Sequence, residues 1–331
     1  DNLGYIKINR FAESTYKEFK KALLKLKDQG ATNLALDLRG NPGGFLDVAS
    51  NIVDEFLEDD KLIVYTRNKK GKEERSYATR RGDFENGHVY VMIDENSASA
   101  SEIIAGALQD NDKGTIVGRR SYGKGLVQRE MQLGDGSAVR LTVSKYYTPT
   151  GRSIQRSYDS GNRDYYDDFS DRLNRGELLD KKKIEVADSL KFTTPKGNIV
   201  YGGGGIIPDV FVPYDTQMQN ETLTFLERRG FLNNFIFEEL EKQREVYNTI
   251  SRDDFFKNFT ISDEVVKSLE DYLKLKTRSN IVFVAYKDEV KHYLKATLAE
   301  QLYGFGAYYK ILNKHDIMID KVVALSQTLN N

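Results

Sequence analysis

The sequence of 331 residues contains no cysteine. Disulfide bonds, thiolate catalysis, zinc–thiolate sites and iron–sulfur clusters are therefore excluded. Histidine is also scarce, because only His88, His292 and His315 are present. No apolar run approaches the length of about 18 residues that a transmembrane helix requires, so we expect no membrane span.

The sequence also lacks an excess of charge of either sign. Lysine and arginine total 49, and aspartate and glutamate total 50, which leaves a formal net charge of −1. Nucleic-acid binding needs a basic surface, so we expect no nucleic-acid partner. The hydrophobic fraction of 39% and the charged fraction of 30% are typical of a folded globular protein. At about 150 residues per domain, the length indicates roughly two domains.

Strand and helix patterns alternate over residues 1–155, which predicts an α/β core with helices covering a mixed sheet. Leu34–Leu38 and Val89–Ile93 are short apolar runs that predict buried strands. A helix is predicted from about Ser99 to Gln109, and the sequence Gly134-Asp135-Gly136 predicts a hairpin.

The remainder of the chain divides into three segments. Residues 156–187 are dense in charge and predict an exposed, partly helical insertion. Strand signals return at residues 188–215, which we expect to complete the core. Residues 216–331 show helical periodicity with mixed charge, which predicts a mostly α-helical C-terminal domain.

The first chemically informative segment is Asp37–Gly44 (D-L-R-G-N-P-G-G), which follows a predicted buried strand and precedes a helix. A glycine-rich turn in that position presents backbone N–H groups to an anion, assisted by the helix dipole. The anion could be a phosphate or the oxyanion of a tetrahedral intermediate. The same glycines also fit a tight turn without a ligand. Their spacing does not match the dinucleotide fingerprint G-x-G-x-x-G.

The second segment is Asn96–Ile103 (N-S-A-S-A-S-E-I), which also lies between a predicted buried strand and a helix. Ser99 could be an exposed nucleophile at this turn, although the pattern G-x-S-x-G is absent. Ser99 and Glu102 also have the spacing of a capping box. The two interpretations are compatible, because a serine at a helix N-terminus can hold a nucleophilic hydroxyl beside unpaired N–H donors.

The third segment is Gly118–Gly125 (G-R-R-S-Y-G-K-G), which has nearly the pattern of a nucleotide-binding P-loop. Gly125 replaces the Ser or Thr that would bind magnesium, and a strand pattern follows instead of a helix, so a nucleotide site is disfavoured. The flanking glycines would let backbone pack closely around Lys124. If this lysine is buried, the pKa of its amine falls and the amine becomes a usable base near neutral pH. The ordinary alternative is a solvated surface lysine.

A serine nucleophile needs a base, and no histidine lies in a recognisable motif, so Lys124 is the expected partner of Ser99. On a strand that starts near Lys124, Gln128 points to the same face and could orient the amine. Glu102 lies one helical turn from Ser99 and could join the network. Asp110 lies about three turns from Ser99, which is too far for direct contact.

Together, these segments resemble the carboxyl-terminal processing proteases, also called tail-specific proteases. Asp37–Gly44 is similar to the D-L-R-x-N-x-G-G loop of that family, Ser97–Asp110 to its nucleophile segment, and Val117–Gln128 to its general-base segment. Tyr146–Gln155 and Gly205–Asp209 are similar to two further signatures of the family. The resemblance covers about residues 1–215.

The resemblance implies a role for each side chain singled out above. Ser99 would be the nucleophile and Lys124 the general base, with Gln128 supporting the lysine. Glu102 and Asp110 match acidic positions that support catalysis in some members.

The resemblance also implies that the backbone N–H groups of Ala100 and of Gly43 or Gly44 form an oxyanion hole. The implied fold is a crotonase-like, ClpP-like α/β protease core. The implied reaction is ATP-independent endopeptidase cleavage, without a metal or another cofactor. Its substrates would be proteins or peptides selected by their C-terminal tails, in the periplasm or cell envelope. Assembly into a homo-oligomer stays open.

One departure from the family concerns the substrate-binding module. Family members usually carry a PDZ domain, which captures a tail by β-augmentation, before the strand matched by Gly4–Phe11. The sequence begins at Asp1 without a methionine or an apolar signal core, and it shows no PDZ-like stretch. We therefore expect either a trimmed catalytic fragment or a branch without this module.

Two other functions remain as alternatives to an active protease. The first is a binding protein on the same fold that is non-catalytic, or latent until a PDZ domain docks. The second is a crotonase-like acyl-CoA enzyme, which would use similar paired N–H donors without needing Ser99 and Lys124 together.

Overall fold

Short apolar strands buried on both faces form the centre of the first half of the chain. The computed structural model describes residues 2–157, 169–215 and 221–328. Asn33–Asp37 is buried along its whole length, and His88–Ile93 along all but its first residue. Such fully buried strands are typical of a parallel sheet that is covered by helices.

The strands are numbered here in chain order. They are β1 Leu3–Lys7, β2 Asn33–Asp37, β3 Leu62–Asn68, β4 Glu73–Tyr77, β5 His88–Ile93, β6 Gly114–Gly118, β7 Leu126–Gln132, β8 Ala138–Tyr147, β9 Lys191–Thr193, β10 Ile199–Tyr201 and β11 Val210–Phe211.

The helices are numbered in the same way, and residues 169–174 are also helical. They are α1 Thr15–Asp28, α2 Leu46–Asp54, α3 Ala100–Asp110, α4 Glu221–Arg228, α5 Phe231–Asn248, α6 Arg252–Lys257, α7 Asp263–Thr277, α8 Lys287–Tyr303, α9 Phe305–Leu312 and α10 Ile317–Thr328.

A five-stranded sheet in the order β1-β2-β5-β6-β11 has parallel neighbours throughout. Ile6, Leu36, Val91 and Ile116 are in register across four of its strands, and all four side chains are buried. The carboxyl ends of parallel strands meet at one edge of a sheet, which is where α/β proteins place their sites. The segments after β2, β5 and β6 therefore converge, and these are the three segments that carry the motifs.

A second sheet in the order β4-β3-β8-β7 has antiparallel neighbours throughout. The predicted α/β architecture is present, but the expectation of one mixed sheet is wrong. The parallel strands are joined by crossovers and the antiparallel strands mainly by hairpins, so the two kinds of pairing lie in separate sheets. The hairpin predicted at Gly134–Gly136 joins β7 to β8. β9 and β10 form a separate two-stranded hairpin.

The first strand is shorter than predicted, because β1 ends at Lys7 rather than at Phe11. Phe11 instead forms an isolated parallel bridge with Gly44. This bridge fixes the end of the glycine-rich loop that follows β2.

Contacts divide the chain into two units, each with its own apolar core. The first unit comprises residues up to Tyr214 and residues from Lys321 onward, and the second is Asp215–Asp320. Fully buried residues of the first core include Leu23, Leu34, Leu36, Ile52, Phe56, Val91, Ile104 and Leu108. Fully buried residues of the second core include Leu226, Phe255, Leu269, Leu273, Phe283, Val290 and Leu294.

Residues 221–328 contain helices and no strand. None of the helices in the described ranges combines the length and the apolar character that a transmembrane segment requires. Residues 158–168 of the predicted insertion, and residues 216–220 and 329–331 of the predicted helical domain, lie outside the described residues. The kinship with crotonase-like and ClpP-like folds stays a prediction.

Candidate active site

The loop after β2 and the turn before α3 are joined by hydrogen bonds between buried groups. The N–H of Ala98 and the hydroxyl of Ser101 both donate to the carbonyl oxygen of Asn41, each over 3.0 Å. The N–H of Gly40 donates to Oδ1 of Asp94 over 2.9 Å. The glycine-rich loop is therefore held directly against the segment that carries Ser99.

Ser99 occupies the turn between β5 and α3 in a strained backbone conformation. Its φ of +56° and ψ of −111° lie outside the regions that a residue with a side chain readily adopts. The residue is half-buried, and α3 begins at the next position, Ala100. Nucleophile elbows hold a serine in this kind of sharp strand-to-helix turn.

Two glycines let the neighbouring loop approach Ser99 closely. A Cβ atom on Gly43 would lie 2.8 Å from Cβ of Ser99 and 3.0 Å from the backbone nitrogen of Ala100. A Cβ atom on Gly44 would lie 2.1 Å from the carbonyl oxygen of Phe11. Neither position has room for a side chain, so both glycines are sterically required.

The backbone donors near Ser99 are not equally available. The N–H of Gly43 already donates to Oδ1 of Asn41 over 2.9 Å. In the part of the chain that the structure describes, the N–H groups of Gly44 and Ala100 meet no acceptor. Gly44 and Ala100 are therefore better placed than Gly43 to bind an oxyanion.

Glu102 links the turn of Ser99 to the loop of Lys124. Its carboxylate is fully buried and accepts four hydrogen bonds. Oε2 accepts from the N–H groups of Ser99 over 2.8 Å and Lys124 over 2.9 Å. Oε1 accepts from the N–H of Gly123 over 2.7 Å and the hydroxyl of Ser121 over 2.5 Å. This acid therefore organises the main chain of both segments.

The electrostatics of Glu102 follow from its burial. Removal from water raises the pKa of the Glu102 carboxyl above its ordinary value, and the four hydrogen bonds oppose part of that rise. The N-terminus of α3, where the carboxylate lies, also favours the ionised form.

Lys124 is half-buried, and its amine donates to Oε1 of Gln128 over 3.4 Å. This contact agrees with the shared face that the strand pattern predicted. Among the described residues, no hydrogen bond joins Nζ of Lys124 to Oγ of Ser99. The structure therefore ties the two residues through their main chains, while their catalytic roles stay predictions.

The loop of Lys124 is packed tightly on either side of the lysine. A Cβ atom on Gly123 would lie 3.2 Å from the carbonyl carbon of Gly204, and one on Gly125 would lie 2.9 Å from the backbone nitrogen of Gln155. The close backbone approach expected from the flanking glycines is therefore present.

The charged insertion contributes buried residues to this loop. Arg172 is 1% exposed, and its guanidinium donates to the carbonyl oxygens of Arg120 over 2.5 Å and Ser121 over 3.2 Å. Arg172 also pairs with Glu177 over 2.9 Å. The prediction of an exposed insertion is wrong for these residues, because the guanidinium supplies donors to backbone carbonyls and is neutralised by a buried acid.

Asp110 lies at the far end of α3 from Ser99, and a helix of this length separates its ends by about 16 Å. Asp110 forms a fully buried ion pair with Arg152, in which the two atoms are 2.7 Å apart. It also accepts from the N–H and the hydroxyl of Thr150 over 3.0 and 2.7 Å. Asp110 therefore anchors the segment after β8, and it makes no contact with the reacting groups.

Asp37 anchors the start of the glycine-rich loop. It is fully buried at the end of β2, pairs with Arg39 over 2.8 Å and Lys7 over 3.4 Å, and accepts from the hydroxyl of Tyr5 over 2.8 Å. Burial by itself would raise the pKa of the Asp37 carboxyl, but the charges of Arg39 and Lys7 outweigh it and hold the pKa well below its ordinary value.

His88 lies away from this edge of the sheet, and the other two histidines belong to the second unit. His88 begins β5, at the opposite end of the strand from Ser99, and its Nε2 is 3.0 Å from the hydroxyl of Thr115. The rings of His292 and His315 pack edge to face within the helical unit, and their centroids are 5.1 Å apart. Within the described ranges, no group of three or more histidine, aspartate or glutamate side chains could hold a metal ion.

Sequence reasoning did not single out Asn41, Ser121 or Tyr146. Each lies in a segment that the resemblance identified, but its partners come from other segments. The hydroxyl of Ser121 donates to Glu102, and the hydroxyl of Tyr146 donates to the carbonyl oxygens of Ser99 and Lys124. Position within a motif was the only signal for them.

Comparison with known proteins finds family models that match two parts of the chain. A family model described as peptidase family S41 matches residues 2–160. A second model, described as a family of unknown function (DUF8443), matches residues 222–304.

Curated relatives match about half of the chain. A carboxyl-terminal-processing protease of Synechocystis sp. is 41% identical over 155 residues, which cover 47% of this chain and 36% of that protein. A carboxy-terminal-processing protease of Bartonella bacilliformis is 42% identical over 159 residues, which cover 46% of this chain and 36% of that protein. Among solved structures, the photosystem II D1 C-terminal processing protease is 28% identical. The match covers 64% of this chain and 42% of that one, with a TM-score of 0.46.

The chain thus spans about a third of the length of the curated relatives it matches. The family model includes Asp37–Gly44, Ser99 and Lys124, so the three converging loops all lie within the matched region. Residues 2–160 therefore match peptidase family S41, and they are similar to proteins named carboxyl-terminal processing proteases.

Proposed function

We propose that this protein is an ATP-independent serine endopeptidase in which Ser99 is the nucleophile and Lys124 the general base. The observation that carries the proposal is the strained turn at Ser99, beside which the N–H groups of Gly44 and Ala100 meet no acceptor among the described residues. A serine hydroxyl next to backbone donors that meet no acceptor among the described residues is the arrangement that acyl transfer requires. The family of residues 2–160 supports the same reaction class.

The reaction follows from these groups. Lys124 removes the proton from Oγ of Ser99, and the oxygen attacks the carbonyl carbon of a peptide bond. The N–H groups of Gly44 and Ala100 bind the resulting oxyanion, and each such donor contributes about 2.7–4 kcal/mol in comparable sites. Lys124 then gives its proton to the leaving amine. Water, deprotonated by the same amine, hydrolyses the ester on Ser99 and restores the free enzyme.

The mechanism requires a movement of the lysine side chain. Nζ of Lys124 donates to Gln128 in this structure, so the amine has to turn toward Ser99 when a substrate is bound. Catalytic hydrogen bonds are often absent or long before substrate binds. We assign Gln128 the role of holding the amine between turnovers.

The substrates we propose are unfolded or extended proteins and peptides selected by apolar C-terminal tails, acted on in the periplasm or cell envelope. The names of the relatives support this choice, since they describe processing at a carboxyl terminus. Tail selection is tested by comparing one disordered polypeptide with an apolar C-terminus and the same polypeptide with a charged C-terminus.

Substitution of the two reacting residues tests the mechanism. Ser99→Ala and Lys124→Ala should each abolish cleavage of a disordered polypeptide with an apolar C-terminus, with the products read by mass spectrometry. Gln128→Ala should be slower but active. Lys145→Ala, which removes an exposed lysine from β8, serves as the matched control and should cleave normally. Full turnover by either of the first two variants would defeat the assignment, and chelators should have no effect.

A latent binding protein on the same fold is the second candidate. The position of the Lys124 amine on Gln128 rather than on Ser99 favours it. If the protein is latent, the wild type and Ser99→Ala should bind the apolar tail with equal affinity. Neither of them should release cleavage products. Turnover by the wild-type chain, measured with the same polypeptide, excludes this candidate.

A further inference from the structure

Tyr146 lies near the end of β8, and its side chain is 1% exposed. Its hydroxyl donates to the carbonyl oxygen of Lys124 and lies 3.1 Å from the carbonyl oxygen of Ser99. A hydroxyl has one proton, which these two acceptors share. One buried group thus contacts the main chains of both proposed catalytic residues.

The opposite side of each main chain is held by Glu102. Oε2 of Glu102 accepts from the N–H of Ser99 and from the N–H of Lys124. Both residues are therefore bound at their N–H groups by one carboxylate and at their carbonyl groups by one hydroxyl. This double attachment involves neither side chain, and it fixes the spacing of the two backbones.

Tyr146 is itself anchored. Its N–H donates to the carbonyl oxygen of Gly125 over 3.0 Å, next to Lys124, and its ring belongs to the apolar core of the first unit. The packing of the ring therefore fixes the position of the hydroxyl.

We infer that Tyr146 is a positioning residue, whose hydroxyl sets the distance and orientation of Ser99 relative to Lys124. The inference rests on the proposed protease function. It adds a group that touches neither the substrate nor the reacting atoms. Because misplacement of reacting groups by about 1 Å costs about 100-fold in rate, the loss of this hydroxyl should appear in kcat.

Tyr146→Phe removes the hydroxyl and keeps the ring. We expect kcat to fall by about 10- to 100-fold with KM unchanged, because only the alignment of the reacting groups is altered. The rate at which a fluorophosphonate labels Ser99 should fall in parallel. This reagent reports on the nucleophile without any requirement for a bound peptide.

Tyr90→Phe is the matched control. Tyr90 is also 1% exposed, and its hydroxyl is buried without a hydrogen-bond partner in the described structure. This variant should keep wild-type kcat and labelling rate. Equal activity of Tyr146→Phe and Tyr90→Phe, with an active wild type, would overturn the inference. An inactive wild type would instead point to failure of the proposed function.

A second substitution covers the case in which Tyr146→Phe does not fold. Replacement of Tyr146 by 3-fluorotyrosine keeps the ring and the hydroxyl but makes the hydroxyl a stronger acid. If donation from this hydroxyl sets the spacing of the two segments, the stronger donor should change kcat and the fluorophosphonate labelling rate by the same factor. The same replacement at Tyr90 should change neither rate. Equal kcat and equal labelling rates for the two replacements would also overturn the inference.

Discussion

Glu102 is a buried carboxylate whose four hydrogen-bond partners are three backbone N–H groups and a hydroxyl, with no cation among them. Each oxygen accepts two bonds, which matches the acceptor-only character of an ionised carboxylate. The sequence suggested this residue as a helix cap and as a supporting acid. Its contacts show that the cap extends to a second loop, so one side chain binds the segments of both Ser99 and Lys124.

Glu102→Gln tests this arrangement at minimal change in size. The substitution replaces one carboxylate oxygen by an amide nitrogen, which is itself a donor. The two groups that donate to that oxygen in the wild type would lose their acceptor. We expect α3 and the neighbouring loop to lose at least about 2 kcal/mol of local stability, measured by hydrogen exchange of the α3 amides, together with a loss of peptide cleavage.

The control for Glu102→Gln is Glu130→Gln, because Glu130 is exposed on β7 and its partners Arg140 and Gln132 are exposed as well. This substitution should change neither the hydrogen exchange of the α3 amides nor peptide cleavage by much, since exposed ion pairs contribute little to stability. Normal exchange and normal cleavage in Glu102→Gln would show that the four bonds do not hold the site.

Individual elements position the site through their ends. β2, β5 and β6 are adjacent and parallel, so the loops that follow them leave the sheet side by side. The glycine-rich loop after β2 then packs against the turn at Ser99. Its glycines differ in what a side chain would meet, and this gives a test within a single loop.

Gly43→Ala should abolish cleavage, because a Cβ atom at this position would lie 2.8 Å from Cβ of Ser99. Gly40→Ala is the matched control, since Gly40 also has a positive φ, of +69°, but open space where the Cβ atom would lie. The control should lose about 1 kcal/mol of stability from backbone strain and keep its activity. Peptide cleavage measures the activity of each variant, and urea unfolding measures its stability. Equal activity of the two variants would contradict the idea that close packing of Gly43 against Ser99 is needed for activity.

At the scale of the whole molecule, the described residues form two apolar cores with no residue in common, one in each unit. Buried charges in the first unit couple its folding to pH. Asp37 and Glu177 have pKa values held below their ordinary values by partner arginines, despite burial that acts in the opposite direction. Such carboxylates stabilise the fold at neutral pH and cease to do so in acid.

Asp37→Asn tests this dependence on pH. The pKa of Asp37 is depressed in the folded state, so its contribution is complete above the unfolded value of about 3.9 and is lost as pH falls through the folded value. At neutral pH, we expect the substitution to cost about 3–5 kcal/mol, because it leaves buried charge unpaired. The difference between wild type and variant, measured by urea unfolding from about pH 7 to about pH 3, should shrink toward the acid end.

Asp135→Asn is the control for this measurement, because Asp135 lies in an exposed hairpin turn. Its substitution should leave the acid limb of the stability curve almost unchanged. A cost for Asp37→Asn that is the same at every pH would contradict the linkage.

Much of the fold could be predicted because it depends on local signals. Apolar runs marked β2 and β5, the capping box of Ser99 and Glu102 marked the start of α3, and a glycine-rich turn marked the hairpin of β7 and β8. The direction in which strands pair is not local, so the separation into a parallel and an antiparallel sheet was missed. The burial of Arg172 was missed for the same reason, since a charge-rich segment carries no sign of the carbonyls it will meet.

The sequence by itself determined the chemistry available at the site: a serine at a helix start, a glycine-flanked lysine, a glycine-rich loop and no cysteine. Only the tertiary structure decided which groups meet. In it the N–H of Gly43 donates to Asn41 and the amine of Lys124 donates to Gln128. The backbones of both proposed catalytic residues bind Glu102 and Tyr146. Propensity and periodicity act over a few neighbouring residues, whereas these bonds join segments that become neighbours only when the sheet assembles.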